Sequence, residues 1–186
     1  MFYHFYENKV NIDYSMFEFM KYFYKHPDSQ TKWHTDKKRI DLIRMEHRNS
    51  TPEFAKSVLQ VIRDMFPNNV VTLHAFMGLD QDSKSFNIHK DKAHVLYLQV
   101  FGETEFSIWE NDPSLDHRPD NLEPEQAICL EKRIFKPGDA VWVRRGTYHY
   151  IKPLTPRVSF SFGVEGDLDL ESVNFPQLNN VISDIT

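Results

Sequence analysis

The sequence has one cysteine, Cys129. That excludes an intrachain disulfide framework and fits a reducing compartment. Positive charge is not in excess either: 22 Lys and Arg stand against 27 Asp and Glu, for a net charge of −5. No global basic field is available to hold a nucleic-acid backbone, so no nucleic-acid partner is expected. The opening "MFYHFYENKV" lacks the basic and apolar regions of a secretory leader. No apolar run approaches the roughly 18 residues that a membrane span requires. Internal repeats and low-complexity tracts are missing as well. The expectation is a soluble, cytoplasmic protein without a membrane partner. The sequence carries no sign of its oligomeric state.

Aromatic residues are abundant, at 14% with 15 Phe and 8 Tyr, which suits a sheet-rich fold with bulky packing. A chain of 186 residues is long enough for one domain with a sizeable core. Two helices are expected in the first third. Tyr14 to Lys25 carries Phe17, Met20 and Tyr24 at helical spacing and stops at His26-Pro27. Pro52 to Phe66 carries a stripe of Phe54, Val58, Val61, Ile62 and Met65, with Thr51 as N-cap and Pro52 in the first turn. Between them, Ser29 to Ser50 is locally basic and contains Trp33. It reads as a solvated connector or, alternatively, as a lid over a substrate.

After Pro67 the pattern changes to period two. Strands are expected at Val70–Phe76, His94–Phe101, Thr104–Trp109, Ala127–Leu130, Ala140–Val143, Tyr148–Ile151 and Arg157–Gly163. Turn signals at Gly102, Pro137-Gly138-Asp139 and Gly146 separate them. Short strands at regular spacing indicate a sandwich or barrel. A polar insertion spans Asn111 to Gln126, and residues 167–186 are expected to add a helix and a tail.

The His-x-Asp pattern occurs three times: His26-Pro27-Asp28, His34-Thr35-Asp36 and His89-Lys90-Asp91. Residues two apart on a strand point to the same face, so such a pair can approach one metal ion from one side. Two imidazoles and a carboxylate on one face of a metal leave positions open for substrate and oxygen, the arrangement of non-haem Fe(II) oxygenases. The first pair sits at a helix end, and the second lies in the connector with no strand expected after it. Only the third lies between two strands. A distal ligand must come from a later strand, and His149 begins one 58 residues past Asp91. His4, His47, His74, His94 and His117 are expected on the surface or in packing.

Arg157 follows His149 by eight residues and shares a strand face with Ser159 and Ser161. Val158, Phe160 and Phe162 share the other face. A buried guanidinium needs an anionic partner. That partner is either a protein carboxylate such as Glu103, Glu105 or Glu131, or the carboxylate of a ligand gripped with the help of Ser159.

"IHKDKAHVLYLQVFGETEFSIW" followed by "FKPGDAVWVRRGTYHYI" resembles the JmjC-type, cupin-like 2-oxoglutarate and Fe(II) dependent oxygenases. The resemblance covers about residues 70–163. It rests on His89-x-Asp91, Gln99 to Gly102, Pro137-Gly138-Asp139 and His149 together. It implies a mainly β double-stranded β-helix, a jelly roll, flanked by N-terminal helices. As domains, residues 1–186 form one unit, with a helical flank at 1–69, a β-helix core at 70–163 and a C-terminal tail at 164–186. By the same resemblance His89, Asp91 and His149 are the catalytic Fe(II) ligands, and 2-oxoglutarate and O2 are cosubstrates.

One position departs from the family. Many members place a lysine or arginine on the strand after the glycine turn to bind the far carboxylate of 2-oxoglutarate, and here Thr104 stands in its place. Arg157 with Ser159 matches the Arg-x-Ser arrangement of other 2-oxoglutarate oxygenases instead. Thr104 and Tyr97 are then secondary contacts to the cosubstrate. The implied reaction is hydroxylation of a small molecule, an amino acid or a peptide side chain, coupled to conversion of 2-oxoglutarate into succinate and CO2. No counterpart of the extra C-terminal domain of ribosome-modifying relatives is expected, and on that expectation a small molecule is favoured. The alternatives are a metal-dependent cupin enzyme without 2-oxoglutarate, and a metal-free jelly-roll binding module.

Overall fold

The structure, a computed structural model, describes residues 3–7, 12–25, 31–47, 51–83, 86–110, 121–123, 125 and 127–168. The first elements are β1 (Tyr3–Tyr6), α1 (Met16–Lys25), β2 (Thr31–His34), β3 (Arg39–Leu42) and α2 (Glu53–Met65). Strands of nine to two residues follow: β4 (Val70–Gly78), β5 (Ile88–Lys90), β6 (His94–Phe101), β7 (Thr104–Trp109) and β8 (Asn121–Leu122). The last are β9 (Cys129–Phe135), β10 (Ala140–Val143), β11 (Tyr148–Pro153) and β12 (Arg157–Glu165).

The strands build two sheets, ordered β1-β10-β6-β12-β4-β3-β2 and β8-β5-β11-β7-β9. Neighbours pair antiparallel throughout. This is the expected mainly β jelly roll of double-stranded β-helix type. On the seven-stranded sheet one face is apolar: Leu96, Leu98, Phe160, Phe162, Leu73 and Ala75 pack there with Ile62, Val58 and Phe19 of the helices. The opposite face meets the five-stranded sheet through Tyr97, Phe106, Phe135, Val141 and Val143. This second cluster closes one end of the sandwich.

Period two reproduces the strand register well. β6, β7 and β10 have the expected bounds, and β4, β11 and β12 run two residues further. Leu96, Leu98 and Val100 join the helix-side core while Tyr97 joins the inter-sheet cluster. Two family motifs meet at one turn. The Gly138 N–H donates to the Gln99 carbonyl, and the Gln99 N–H to the Asp139 carbonyl, both at 2.9 Å. The Gln99 side-chain amide donates to the Phe101 and Gly102 carbonyls at 2.7 and 3.1 Å. Gly102 has φ +70°, and a Cβ there would collide with the Pro156 carbonyl oxygen, so only glycine fits.

Several expectations are corrected. Ser29–Ser50 is not a solvated connector: it carries β2 and β3, which extend the seven-stranded sheet beyond β4, and Arg39 to Leu42 are all buried. The described residues among the first 69 therefore supply three strands as well as two helices. Helix α1 forms, but Phe17 and Tyr24 of its expected stripe are exposed, while Phe19 and Tyr22 are buried. The run is aromatic on every side, so its spacing did not select a face. Thr51 does not cap α2; its buried hydroxyl donates to the Met45 carbonyl at 2.6 Å, and Pro52 takes the cap position. The strand expected at Ala127–Leu130 runs instead from Cys129 to Phe135. Asn111–Asp120, most of the tail, His117 and the His26-Pro27-Asp28 pair lie outside the described residues.

Candidate metal centre and ligand cavity

A cavity of about 630 Å³ opens between the two sheets, beside the aromatic cluster that closes their other end. Its seven-stranded wall is polar because β4, β12 and β3 turn alternate side chains towards it. Cross-strand partners share a face, and Arg39, Gly78 and Arg157 lie in one row across the three strands. Asp41, Phe76 and Ser159 form the next row, and His74 pairs with Ser161 beyond it.

On the five-stranded wall, His149 of β11 lies directly opposite His89 of β5. Their rings are 4.3 Å apart, centre to centre. Asp91 follows β5, and its backbone carbonyl accepts the Gly146 N–H at 3.1 Å. That bond clamps the turn before β11 against the end of β5 and brings the Asp91 carboxylate to both imidazoles. Its oxygens lie 3.7 Å from His89 Nε2 and 3.5 Å from His149 Nε2. One ligating atom from each of the three residues fits within 4.8 Å of the others, a separation that one cation can bridge.

Both imidazoles are oriented the same way. His89 Nδ1 is 2.8 Å from the Asn87 carbonyl, and His149 Nδ1 is 3.1 Å from the Thr147 carbonyl. A carbonyl can only accept, so Nδ1 carries the proton and Nε2 presents its lone pair to the shared point. Burial, and then the neighbouring His149, push the His89 pKa down to about 4, which keeps its ring neutral near pH 7. Phe106 stacks on His149 with ring centres 5.7 Å apart and planes 2° from parallel, backing the site with apolar surface. The donor set therefore suits a divalent metal: two imidazoles, one carboxylate and an open side towards the cavity.

Arg157 is 2% exposed. Its Nη1 donates to Ser159 Oγ at 2.6 Å, and its Nε has no hydrogen-bond partner. Among the described residues no carboxylate pairs with it; Glu105 pairs with Lys132, and Glu131 with Arg133. Ser159 is fully buried beside it on the same wall. A buried guanidinium in this state is suited to an anion entering the cavity. Tyr97 lines the cavity with its ring, but its hydroxyl donates to Gln99 Oε1 at 2.6 Å. Thr104 does not line it. Its hydroxyl donates to the same Gln99 oxygen at 3.1 Å, behind Tyr97.

Of the other two His-x-Asp pairs, His26-Pro27-Asp28 lies outside the described residues, and His34-Thr35-Asp36 does not join this site. His34 pairs with Asp41, not Asp36, at 3.0 Å. Asp41 also binds Arg39, with Nε to Oδ1 at 2.7 Å and Nη2 to Oδ2 at 2.9 Å. Sequence reasoning missed this buried group. Arg39 lines the cavity, and its guanidinium lies 4.4 Å over the Phe86 ring. The signal was available in Arg39-Ile-Asp-Leu42, an alternating charged and apolar tetrad, but the surrounding basic residues obscured it. His74, expected to be a packing or surface residue, also lines the cavity, and burial lowers its pKa.

A profile of the JmjC domain family matches residues 52–168. Among solved structures, YcfD of Escherichia coli is similar, with 13% identity and a TM-score of 0.66 over 90% of this chain and 50% of that one. YcfD is described as a ribosomal oxygenase, and its complex with cobalt and 2-oxoglutarate matches at 13% identity and TM-score 0.63, over 91% of this chain and 49% of that one. Its complex with cobalt and succinic acid matches at 13% identity and TM-score 0.61, over 90% and 49%. At this identity the likeness concerns the fold. The chain spans about half the length of these solved relatives. No curated protein matches it. No helix among the described residues is long and apolar enough to cross a membrane.

Proposed function

The chain belongs to the JmjC domain family, and from that premise we propose that it is a 2-oxoglutarate and Fe(II) dependent oxygenase. His89, Asp91 and His149 hold the metal, and Arg157 with Ser159 holds the far carboxylate of 2-oxoglutarate. The observation that carries the reading is the joint one. Three ligand atoms converge within 4.8 Å, and a buried guanidinium without a carboxylate partner among the described residues lines the same cavity.

Fe(II) with bound 2-oxoglutarate supplies the oxidising power that inserts one atom of O2 into a C–H bond, with succinate and CO2 as coproducts. The protein supplies orientation and dryness. His89 and His149 keep their protons on Nδ1, fixed by the Asn87 and Thr147 carbonyls, so neither ring turns away. Asp91 supplies the negative charge. Arg157 sets the diacid's direction, and Ser159 fixes the guanidinium. Val95, Tyr97, Val143 and Ile151 line the cavity and keep water from the reacting atoms. The reaction unit extends over the whole described chain, because β1 to β3 complete the seven-stranded sheet and Arg39 reaches the cavity from β3.

The substrate is a peptide or protein side chain. Support comes from the similarity to YcfD, described as a ribosomal oxygenase, and from a cavity whose lining includes the exposed residues Lys92, Glu165 and Gly166. The reading is tested with Mn(II) and N-oxalylglycine, an unreactive analogue of 2-oxoglutarate. Together they should raise the melting temperature more than the sum of their separate effects. Stabilisation by Mn(II) alone, with no added effect of the analogue, would instead identify a metal-dependent cupin of another class. A peptide screen read by succinate release and a mass gain of one oxygen then identifies the substrate.

A further inference from the structure

A second depression, about 520 Å³, lies against the metal centre on its outer side. Two loops form it. The end of β5 brings Lys90, the β5–β6 loop brings Lys92, and the β10–β11 turn brings Arg144 and Arg145. Lys92, Arg144 and Arg145 are exposed. Lys90 lies over the Tyr148 ring at 5.5 Å. Among the described residues that line the depression, two are acidic: Asp91, which belongs to the metal centre, and Asp167, which pairs with Arg145 at 2.8 Å.

The shelf is rigidly built. Gly146 N–H binds the Asp91 carbonyl at 3.1 Å, and Arg145 N–H donates to His94 Nδ1 at 3.4 Å, so the two loops are tied to each other. Four cations held together on clamped loops repel one another. The local field is visible at His94: after burial, the charges of Arg145 and Arg144 lower its pKa, to about 4. This cluster stands out on a chain whose net charge is −5. Asp91 and Lys92 line both this depression and the main cavity, so a ligand on the shelf lies at the cavity mouth.

We propose that Lys90, Lys92, Arg144 and Arg145 form a docking shelf for an acidic peptide segment adjoining the side chain that enters the main cavity. The second half of that statement rests on the oxygenase reading; the docking itself does not. A short acidic segment fits better than nucleic acid for two reasons. The shelf presents no exposed aromatic ring on which bases could stack, since Tyr148 is buried. A long polyanion would also run off the shelf onto a surface with a net negative charge, whereas a short segment would not.

The test is fluorescence anisotropy with two probes of equal charge, a fluorescein-labelled peptide of alternating glutamate and serine and a fluorescein-labelled oligouridylate. At about 0.01 M ionic strength, where screening reaches about 30 Å, the wild-type protein should bind the peptide. Raising the ionic strength to about 0.15 M should weaken binding. The Lys92→Glu/Arg144→Glu double variant should lose about tenfold or more in affinity. The milder Lys92→Gln/Arg144→Gln variant should lose less, and a retained melting transition shows that each variant is folded. Lys132→Glu/Lys152→Glu, with the same charge change on the outer face of the five-stranded sheet, should stay within about twofold of wild type. Three results would overturn the proposal: no peptide binding at low salt, equal losses in shelf and control variants, or tighter binding of the oligouridylate. Mn(II) affinity is measured in parallel. If Mn(II) binding fails while peptide docking persists, the oxygenase reading falls and the shelf stands.

Discussion

Replacing Arg157 by methionine separates a ligand-binding arginine from a structural one. Methionine keeps most of the aliphatic stem, whose Cγ packs beside Gly78, and removes the charge. In the wild-type protein, Mn(II) with N-oxalylglycine at a hundredfold excess over the dissociation constant should contribute about 2.7 kcal/mol. For a chain of this size that is a rise in melting temperature of about 5–10 °C. Each charge-assisted hydrogen bond lost from the guanidinium costs about 1.5–3 kcal/mol of affinity, a factor of about ten to 150. At unchanged analogue concentration the remaining stabilisation is about 0.3–1.4 kcal/mol, or about 1–5 °C. The protein without ligand behaves differently. Only Ser159 loses a partner, and a buried charge that no carboxylate among the described residues balances is removed. Its stability should stay within about 1 kcal/mol of wild type or rise. Breaking a structural ion pair would instead cost about 3–5 kcal/mol. The assay is thermal denaturation with and without the pair of ligands. A large loss without ligand, together with an undiminished ligand effect, would refute the assignment.

His89→Ala and Asp91→Ala should each abolish tight Mn(II) binding measured by calorimetry, whereas His34→Ala should leave it intact and destabilise the fold by loosening the Asp41 group. Mn(II) affinity lost equally in all three would undo the choice of triad. His94 has its folded pKa lowered to about 4, below an unfolded value near 6.5, so the unfolded chain binds the extra proton between those limits. Its contribution is therefore fully present above about pH 6.5 and is lost as the pH falls towards 4, by about 3 kcal/mol; His94→Gln should flatten the urea-measured stability profile in that window, and an unchanged slope would count against it. Gly102→Ala should destabilise by more than about 2 kcal/mol, because φ +70° and the Pro156 carbonyl leave no room for a Cβ, and a near-neutral effect on chemical denaturation would contradict the turn geometry.

The β strands were legible because alternation is a local property. In β6, Leu96, Leu98 and Val100 turn to one core and Tyr97 to the other, as period two requires. Helix α1 was legible as a helix but not in its orientation, since Phe17, Phe19, Tyr22 and Tyr24 place aromatic surface all round it. β2 and β3 were hidden for another reason. Their inward side chains are His34, Arg39 and Asp41, a polar set that satisfies itself across two strands. Hydropathy reads such residues as solvated, and only the pairing of β3 with β4 reveals them as an inner wall.

The same distinction explains the site. His89 and Asp91 are two residues apart, and a strand context alone predicted that they would face one way. His149 required a tertiary contact, the antiparallel pairing of β11 with β5, yet its place at a strand start after Gly146 was enough to nominate it. Arg39 and His74 could not be nominated in that way, because neither belongs to a spacing that metal chemistry requires. Arg39 reaches the cavity because three strands align Arg157, Gly78 and Arg39 in one row, and His74 because it lies opposite Ser161 on the same wall. Gly78, with no side chain of its own, separates two guanidiniums in different states. Arg39 is balanced by Asp41, while Arg157 has no carboxylate partner among the described residues. An anion entering the cavity therefore gains most at Arg157, because binding there does not have to displace a carboxylate already in place.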